Sequence, residues 1–400
     1  MTSPQPSPLD ARDPVALTQA LIRCPSVTPA EGGAISLLER VLGQAGFVCH
    51  RMTFSAPGTP DIENLYARLG TDGPNLCFAG HTDVVPPGDS AKWTHPPFGG
   101  VIDGEFLYGR GAVDMKGGIA CFIAAALRHQ ADAGGRPSAK LGGSISLLIT
   151  GDEEGPSING TMKVLDWLTE RQERLDACVV GEPSNPSALG QEIKIGRRGS
   201  MSAELVVRGR QGHAAYPDLA ENPVPKLVRM LDRLSSATLD SGTPDFQPSN
   251  LQVTVIEVAN SATNVIPAEA RAKFNIRYNT HWTRATLEAW VRAHCETAGA
   301  ELSARWTLSF SGTGDVFLTQ PGPLVATMRA AVANVTGQTP KLTTNGGTSD
   351  ARFIQAYCPV IECGLTNALA HHVDERVAIA DLEHLTAIYQ RFIAGYFARV

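Results

Sequence analysis

Short apolar runs recur along the chain, and clusters of glycine and proline separate them. Before residue 200, the pattern predicts helices at Pro14–Ile22, Ala34–Ala45, Met115–His129 and Thr161–Thr169, and strands at Glu63–Leu69, Leu76–Ala79, Ser144–Thr150 and Ala177–Val180. Because buried apolar strands alternate with helices, this part of the chain favours an α/β sheet covered on both faces.

The stretch from Ser200 to about Ser311 has a different order of elements. It predicts strands at Ser202–Arg208, Leu251–Val258, Ala270–Tyr278 and Glu301–Leu308, and helices at Val224–Leu234 and Arg284–Ala298. The resulting β-α-β-β-α-β order is typical of a ferredoxin-like, split βαβ domain. An α/β pattern then returns, with a helix at Pro323–Val335, a strand at Val360–Cys363 and a helix at Leu382–Phe397. We therefore predict a discontinuous catalytic domain, residues 1–198 and 312–400, with a smaller domain inserted at residues 199–311.

Composition narrows the classes of function. The chain has 400 residues and a formal net charge of −6, and it has no basic stripe with interleaved aromatic residues, which disfavours a nucleic-acid partner. It also lacks an apolar run long enough for a membrane span, and its first residues do not have the pattern of a secretory signal. The eight cysteines contain no CxxC pair, which argues against a disulfide framework and against a thiolate zinc cluster. We expect a cytoplasmic protein.

Acidic and histidine side chains follow several of the predicted strands, where open α/β sheets place their ligands. Taken singly these residues are ambiguous, because Asp114 could be a helix N-cap and a His-x-Asp turn forms for local reasons. Together they would repel one another strongly unless cations lay among them. The residues concerned are His81, Asp83, Asp114, Asp152, Glu153, Glu154, Glu182 and His371.

Imidazole and carboxylate without thiolate suit catalytic zinc and also tolerate Co²⁺ or Mn²⁺. Two ions fit better than one. The carboxylates of Asp114, Glu154 and Glu182 would balance all but one of their four positive charges, and a bound hydroxide would neutralise the last. The residues therefore predict a metal-dependent hydrolase.

Nine sequence strings are similar, in order and spacing, to the M20 metallopeptidase family. They are GHTDVVPPGD, GRGAVDMKGG, GDEEG, VGEPS, GRRGS, QGHAAYP, NVIPAE, NGGTSDARF and the stretch with the late histidine. Three segments, VVPPGD, GRRGS and GGTSDARF, resemble in particular a bacterial branch of the family that acts on N-succinylated diaminopimelate. The resemblance implies a zinc-exopeptidase-like catalytic domain and an inserted ferredoxin-like domain that forms a homodimer.

The resemblance also implies roles for individual residues. His81, Asp114 and Glu182 would hold one zinc ion, and Asp114, Glu154 and His371 the second. Asp83 would accept a hydrogen bond from the far nitrogen of His81, and Glu153 would be the general base. His213 would reach in from the partner subunit to stabilise the oxyanion, although by itself it reads as a turn residue.

An anionic substrate calls for rigid cationic donors. The positions that match substrate-binding residues of the branch are Arg197, Tyr216, Asn264, Arg277, Gly347, Thr348, Arg352 and Asn367. Each arginine taken alone would read as an ordinary surface residue. The sequence departs from the branch at Thr263, where a second Asn is frequent, and at Asn345, where Ser or Gly is usual.

The implied activity is hydrolysis of N-succinyl-LL-2,6-diaminopimelate to succinate and LL-2,6-diaminopimelate, a step towards lysine and a cell-wall precursor. The alternative within the family is another deacylase, such as an acetylornithine deacetylase or an aminoacylase. A metal-binding or scaffolding protein without catalysis is disfavoured, because such a protein would need neither Glu153 nor His213.

Overall fold

A computed structural model describes residues 9–132, 134 and 142–399. The first eight residues lie outside this range, and they belong to the N-terminal segment that we judged not to be a secretory signal. The chain divides into two compact units. The first comprises Met1–Ile195, Thr319–Thr343 and Ser349–Val400, and the second comprises Gly196–Leu318 and Thr344–Thr348.

The helices and strands are numbered in chain order. Helices of the described residues are α1 (Pro14–Ile22), α2 (Ala34–Gln44), α3 (Lys116–Asp132), α4 (Thr161–Glu170), α5 (Pro223–Ser236), α6 (Arg284–Glu301), α7 (Pro323–Thr336), α8 (Ala351–Ile354) and α9 (Ile379–Phe397). Strands are β1 (Val48–Phe54), β2 (Ile62–Leu69), β3 (Asn75–His81), β4 (Val101–Asp103), β5 (Phe106–Tyr108), β6 (Ser144–Thr150), β7 (Ala177–Val180), β8 (Glu192–Lys194), β9 (Gly196–Arg197), β10 (Gly199–Arg208), β11 (Gly212–His213), β12 (Asn250–Glu257), β13 (Val265–Ile266), β14 (Glu269–Tyr278), β15 (Arg305–Gly314), β16 (Phe317–Leu318), β17 (Lys341–Thr343), β18 (Val360–Glu362) and β19 (Arg376–Ala378).

The first unit is built on a mixed eight-stranded sheet in the order β1-β2-β6-β3-β7-β18-β8-β17. Its central strands β6, β3, β7 and β18 run parallel, and every residue of them is buried. Strands buried on both faces need helices over them, and α3 packs against α1 and α9 in this role. The predicted α/β class is confirmed. The parallel strands bring their carboxyl ends to one edge of the sheet.

Helix α3 begins close to that edge because two glycines, Gly117 and Gly118, follow its first residue. A Cβ atom added at Gly118 would lie 2.6 Å from the main-chain oxygen of Gly181. Only glycine therefore lets the start of α3 approach the loop after β7 so closely. This approach places Asp114, just ahead of α3, beside Glu182.

The second unit contains a four-stranded antiparallel sheet in the order β12-β14-β10-β15. Buried and partly exposed residues alternate along β10 and β14, so one face of the sheet lies on a core. Apolar residues of α5 and α6, such as Leu227, Met230 and Leu287, complete that core. The order of the main elements, β10-α5-β12-β14-α6-β15, is the β-α-β-β-α-β order that the sequence predicted.

Most helix and strand boundaries lie within about three residues of their predicted positions, with one clear error. The strand predicted at Glu301–Leu308 starts only at Arg305, because α6 continues to Glu301 and the N–H of Leu302 still donates to Ala298 O at 3.1 Å. Three strands of the eight-stranded sheet were not predicted from the sequence, namely the edge strand β1 and the three-residue strands β8 and β17. None of the helices in the described part of the chain combines the length and apolar character needed to cross a membrane.

Candidate metal centre

His81 is the last residue of β3, and its side chain is 1% exposed. Its Nδ1 lies 2.9 Å from the main-chain oxygen of Asp83, which can only accept, so Nδ1 carries a proton and Nε2 is the nitrogen left to bind a cation. That Nε2 atom faces Asp114 Oδ1 at 3.3 Å and Glu182 Oε1 at 3.5 Å. The ring is therefore oriented with its free nitrogen towards two carboxylates.

The carboxylate of Asp83 does not make the hydrogen bond to His81 that the family resemblance implied. Its Oδ1 lies 3.6 Å from His81 Nδ1, because the main-chain oxygen of the same residue takes the proton. The carboxylate instead accepts hydrogen bonds from Thr28 Oγ1 at 2.8 Å, Glu154 N at 3.0 Å and Glu153 N at 3.2 Å. Asp83 thus holds the turn that carries both glutamates.

A second group of side chains shares Asp114 with the first. Nε2 of His371 lies 3.3 Å from Asp114 Oδ2 and 2.8 Å from Glu154 Oε1. The two oxygens of Asp114 therefore face two different histidines, one on each side. The donor atoms of His81, Asp114 and Glu182 lie within 4.8 Å of one another, and so do those of Asp114, Glu154 and His371.

The protonation of these groups is strongly perturbed. Burial raises the pKa of Glu182 to about 7, and the negative charge of Asp114 adds to this effect. Burial together with the charge of Glu182 also raises the pKa of Glu153 well above its usual range. Hydrogen bonds to Asp114 and Glu154 raise the pKa of His371 to about 10. The cluster thus retains protons that bound cations would replace.

Two buried polar atoms of the cluster also fit a metal site. His81 Nε2 and Asp114 Oδ1 are buried, and neither has a hydrogen-bond partner among the described residues. Buried polar atoms without partners are rare and need an explanation, and a cation between them is one. The nitrogen and oxygen donor set is one that zinc accepts.

Asp152 lies outside these groups, although it belongs to the same acidic run. Its Oδ2 accepts hydrogen bonds from Ile158 N at 2.8 Å and Asn159 N at 2.9 Å. It therefore shapes the loop that follows Glu153 and Glu154.

Sequence reasoning assigned no role to two charged residues next to the cluster. Arg110 and Glu375 are almost fully buried and form an ion pair with a distance of 2.8 Å between Nη1 and Oε2. Both lie inside strings that had been singled out for Asp114 and His371. Their charge could have indicated a role, because both lie in segments next to buried strands or helices, and charged side chains are seldom buried unless they are paired.

The remaining predicted residues are distributed over both units. Arg352 and Asn367 are in the first unit, where Arg352 Nη2 donates to Ser157 Oγ at 3.0 Å. In the second unit, Arg197 is buried and its Nη1 donates to the main-chain oxygens of Asn345 at 3.3 Å and Gly347 at 3.2 Å. The others in the second unit are His213, Tyr216, Asn264, Arg277, Gly347 and Thr348.

His213 lies on β11 and is exposed, with its ring 5.6 Å from that of Tyr216. Its Nδ1 accepts a hydrogen bond from Ala215 N at 3.0 Å, so the neutral ring carries its proton on Nε2. Asn264 lies on the segment beside it, and its main-chain oxygen accepts from Ala214 N at 2.8 Å.

Fold and site together define a hydrolase of the metallopeptidase type. The profile of peptidase family M20/M25/M40 matches residues 77–395, and the chain belongs to this family. A succinyl-diaminopimelate desuccinylase of Methylobacterium nodulans is 58% identical over 385 residues, which covers 96% of each chain. Another desuccinylase of the same name, from Rhodopseudomonas palustris, is 56% identical over 95% of this chain and 98% of its own.

Solved structures agree on the fold. An M20 family metallo-carboxypeptidase from Sulfolobus solfataricus superimposes with a TM-score of 0.76 over 96% of this chain and 99% of its own, at 18% identity. The resemblance to the M20 family that the sequence strings indicated is therefore confirmed.

Proposed function

We propose that this chain hydrolyses the amide of N-succinyl-LL-2,6-diaminopimelate and releases succinate and LL-2,6-diaminopimelate. The observation that carries the proposal is the 58% and 56% identity, over nearly the whole chain, to two proteins named succinyl-diaminopimelate desuccinylase. In this reaction the amide C–N bond breaks, water supplies the oxygen of the new carboxylate, and the amine leaves with a proton.

Two zinc ions would be held by the two sets of side chains in the first unit. The sets are His81, Asp114 and Glu182, and Asp114, Glu154 and His371. When bound, the ions polarise a substrate carbonyl and make water a better nucleophile at neutral pH. The unpartnered atoms His81 Nε2 and Asp114 Oδ1 support this assignment.

Glu153 is the residue we propose for proton transfer. Its backbone N–H is fixed by Asp83 at 3.2 Å, and its carboxyl is partly buried among other acids, which raises its pKa. Cations nearby would favour the ionised form of this carboxyl, which is the form that can accept a proton. Glu153 would take a proton from the attacking water and deliver it to the leaving nitrogen.

His213 is proposed to stabilise the developing oxyanion from the partner subunit of a homodimer. Support comes from its tautomer, since Nδ1 already accepts a hydrogen bond and Nε2–H is left as a donor on an exposed ring. A dimer is supported by β12, an edge strand that exposes Val255 (41%) and Ile256 (59%). Exposed apolar residues on a sheet edge are a common site of pairing between chains.

The substrate carries several carboxylates, and the proposed binding residues include three arginines. Arg197 is buried, and its guanidinium already binds the main chain of the 345–347 loop. Arg277 and Arg352 would supply further cationic donors, and the other residues proposed for substrate binding are Tyr216, Asn264, Gly347, Thr348 and Asn367. Planar guanidinium groups bind carboxylates through two parallel hydrogen bonds.

The experiment measures succinate release from N-succinyl-LL-2,6-diaminopimelate, with and without a chelator, and compares it with N-acetylornithine and other N-acetyl amino acids. We expect activity that chelation removes and that added zinc restores, together with a preference for the succinylated substrate. A preference for an acetylated substrate would favour the other deacylases of the family.

Glu153→Gln tests the role of the base. We expect about a 10²- to 10⁴-fold loss of kcat with two zinc ions still bound, because a general base contributes about this factor. Glu170→Gln, an exposed acid on α4, is the matched control and should retain activity. Full turnover by Glu153→Gln would disprove the assigned role.

A further inference from the structure

The two histidines of the metal centre are supported in different ways. His81 is buried at the end of a central strand, whereas His371 is 49% exposed and lies in a loop between β18 and β19. The backbone of His371 has φ +64°, a left-handed conformation that non-glycine residues seldom adopt without support. His371 therefore lies outside the sheet and is only half-buried, so its position depends on the contacts that its loop makes.

Arg110 provides contacts to this loop. Its guanidinium donates to the main-chain oxygen of His372 at 3.2 Å from Nη1 and to that of His371 at 3.3 Å from Nη2. The ring of Trp93 lies over the guanidinium at 5.2 Å. Arg110 thus holds the main chain of the residue whose imidazole faces Asp114 and Glu154.

Glu375 provides the corresponding contacts to the loop that carries Asp114. Its Oε2 accepts from Gly111 N at 2.9 Å, and its Oε1 accepts from Val113 N at 3.0 Å and Asp114 N at 3.3 Å. Oε2 also receives the 2.8 Å hydrogen bond from Arg110 Nη1. Each residue of the pair therefore binds the loop on which the other one lies.

We propose that Arg110 and Glu375 are positioning residues that hold His371 against Asp114 and so preorganise the second metal position. Stability alone does not explain the pair, because a buried ion pair is about as stabilising as well-packed apolar residues. The assignment rests on the dizinc centre of the proposed function, but it concerns the affinity for metal and not the identity of the substrate.

The test is a zinc titration of the metal-free, full-length protein, followed by calorimetry or by competition with a chelating dye. The variant is Arg110→Met/Glu375→Gln, which removes both charges together and leaves no unpaired one. We expect the affinity of the second zinc to fall about 10- to 100-fold, as for other residues that orient metal ligands, and that of the first to change less than about threefold.

A matched control is another Arg–Glu pair of the first unit, the partly buried Arg68 and Glu173, whose Nη1 and Oε1 are 2.6 Å apart. Glu173 also binds Asn75, the first residue of β3, whereas His81 is the last. The variant Arg68→Met/Glu173→Gln should leave both zinc affinities unchanged.

Equal weakening of both zinc positions, or no weakening of the second, would overturn the proposal. If the double variant fails to fold, Arg110→Lys decides, because it keeps the charge but lacks the planar guanidinium whose two terminal nitrogens each reach one of the carbonyls. It should still weaken the second zinc selectively, and an unchanged second affinity would count against the pair. No substrate enters the titration, so the zinc affinities can support or overturn this proposal whether or not the protein hydrolyses the succinylated substrate. Likewise, a failure of this proposal would not affect the proposed desuccinylation.

Discussion

Carboxyl groups of the two units are stabilised in opposite ways. In the first unit, Glu153, Glu154, Glu182 and Asp114 face one another and two histidines, and burial raises the pKa of Glu182 to about 7. In the second unit, Asp240 is surrounded by donors. Its Oδ1 accepts from Gly242 N, Ser249 N and Asn279 Nδ2, and its Oδ2 accepts from Trp282 Nε1, at 2.7 to 3.1 Å.

The difference separates a structural acid from ligating acids. Asp240 has its charge satisfied by the protein, so partial burial is outweighed and the hydrogen bonds from Ser249, Gly242 and Asn279 hold its pKa well below the usual range. The ligating acids of the first unit, Asp114, Glu154 and Glu182, have few such donors and are held near one another at an energetic cost. That cost is what a bound cation would relieve.

The largest effect is expected from Asp114→Asn, because this residue belongs to both three-residue sets. An amide there loses the negative charge that both positions share. We expect metal content after dialysis to fall well below two per chain, and succinate release to fall by about 10³-fold or more, which corresponds to several kcal/mol of transition-state stabilisation.

Asp103→Asn, at an exposed acid on β4, is the control for Asp114→Asn and should keep both metal and activity. Retention of two zinc ions by Asp114→Asn would show that Asp114 is not a metal ligand, and the distinction between ligating and structural acids would fail.

The metal cluster could be anticipated from the sequence because its members follow predicted strands. His81 ends β3, Glu154 and Glu182 lie in the loops that follow β6 and β7, and parallel strands bring their carboxyl ends to a common edge. Such an argument uses only local patterns and the general rule for α/β sheets. It says which residues share an edge, but not which atoms meet.

Contacts between distant segments were beyond that argument. Arg110 and Glu375 are 265 residues apart, and the charge pattern of neither segment indicates the other. The hydrogen bond of His81 to the main-chain oxygen of Asp83, in place of the carboxylate, depends on a backbone geometry that residue types do not reveal. The roles assigned to His213 and to the substrate-binding residues come from family resemblance and stay predictions.

Chelation is expected to have the next largest effect, and it should distinguish the two units. Removing zinc that is present at about 100 to 1,000 times its Kd would lower the stability of the first unit by about 3 to 4 kcal/mol. Hydrogen exchange read by mass spectrometry should show faster exchange around β3, β6 and β7. Peptides of the second unit should keep their rates.

Restoring zinc is the control for this chelation experiment, and it should return the original protection. Equal loss of protection in both units would mean that the metals stabilise more than the unit that holds their ligands.

Asp240→Asn should give a smaller loss, confined to the second unit. The amide still accepts one or two hydrogen bonds, but its NH₂ group opposes a donor such as Trp282 Nε1. Losing hydrogen bonds to a charged acceptor costs about 2 kcal/mol. Exchange in the 242–249 segment should accelerate, while Asp232→Asn, at an exposed acid on α5, should change little. Unchanged protection in Asp240→Asn would refute the structural role of this carboxylate.

The smallest expected effect is a pH dependence of the stability that the hydrogen bonds to the Asp240 carboxylate provide. The pKa of Asp240 is lower in the folded protein than its ordinary value of 3.8. A carboxyl with a depressed folded pKa contributes stability that is fully present above the unfolded pKa and is lost as the pH falls through the folded one. Protection of the 242–249 segment, measured in metal-free protein and corrected for intrinsic exchange, should therefore decline below about pH 4. Asp240→Asn should show a shallower decline, because the amide does not titrate.

An identical pH profile for the two proteins would mean that the hydrogen bonds to residue 240 do not depend on its charge. Asp240 would then differ from the ligating acids only in its position in the fold.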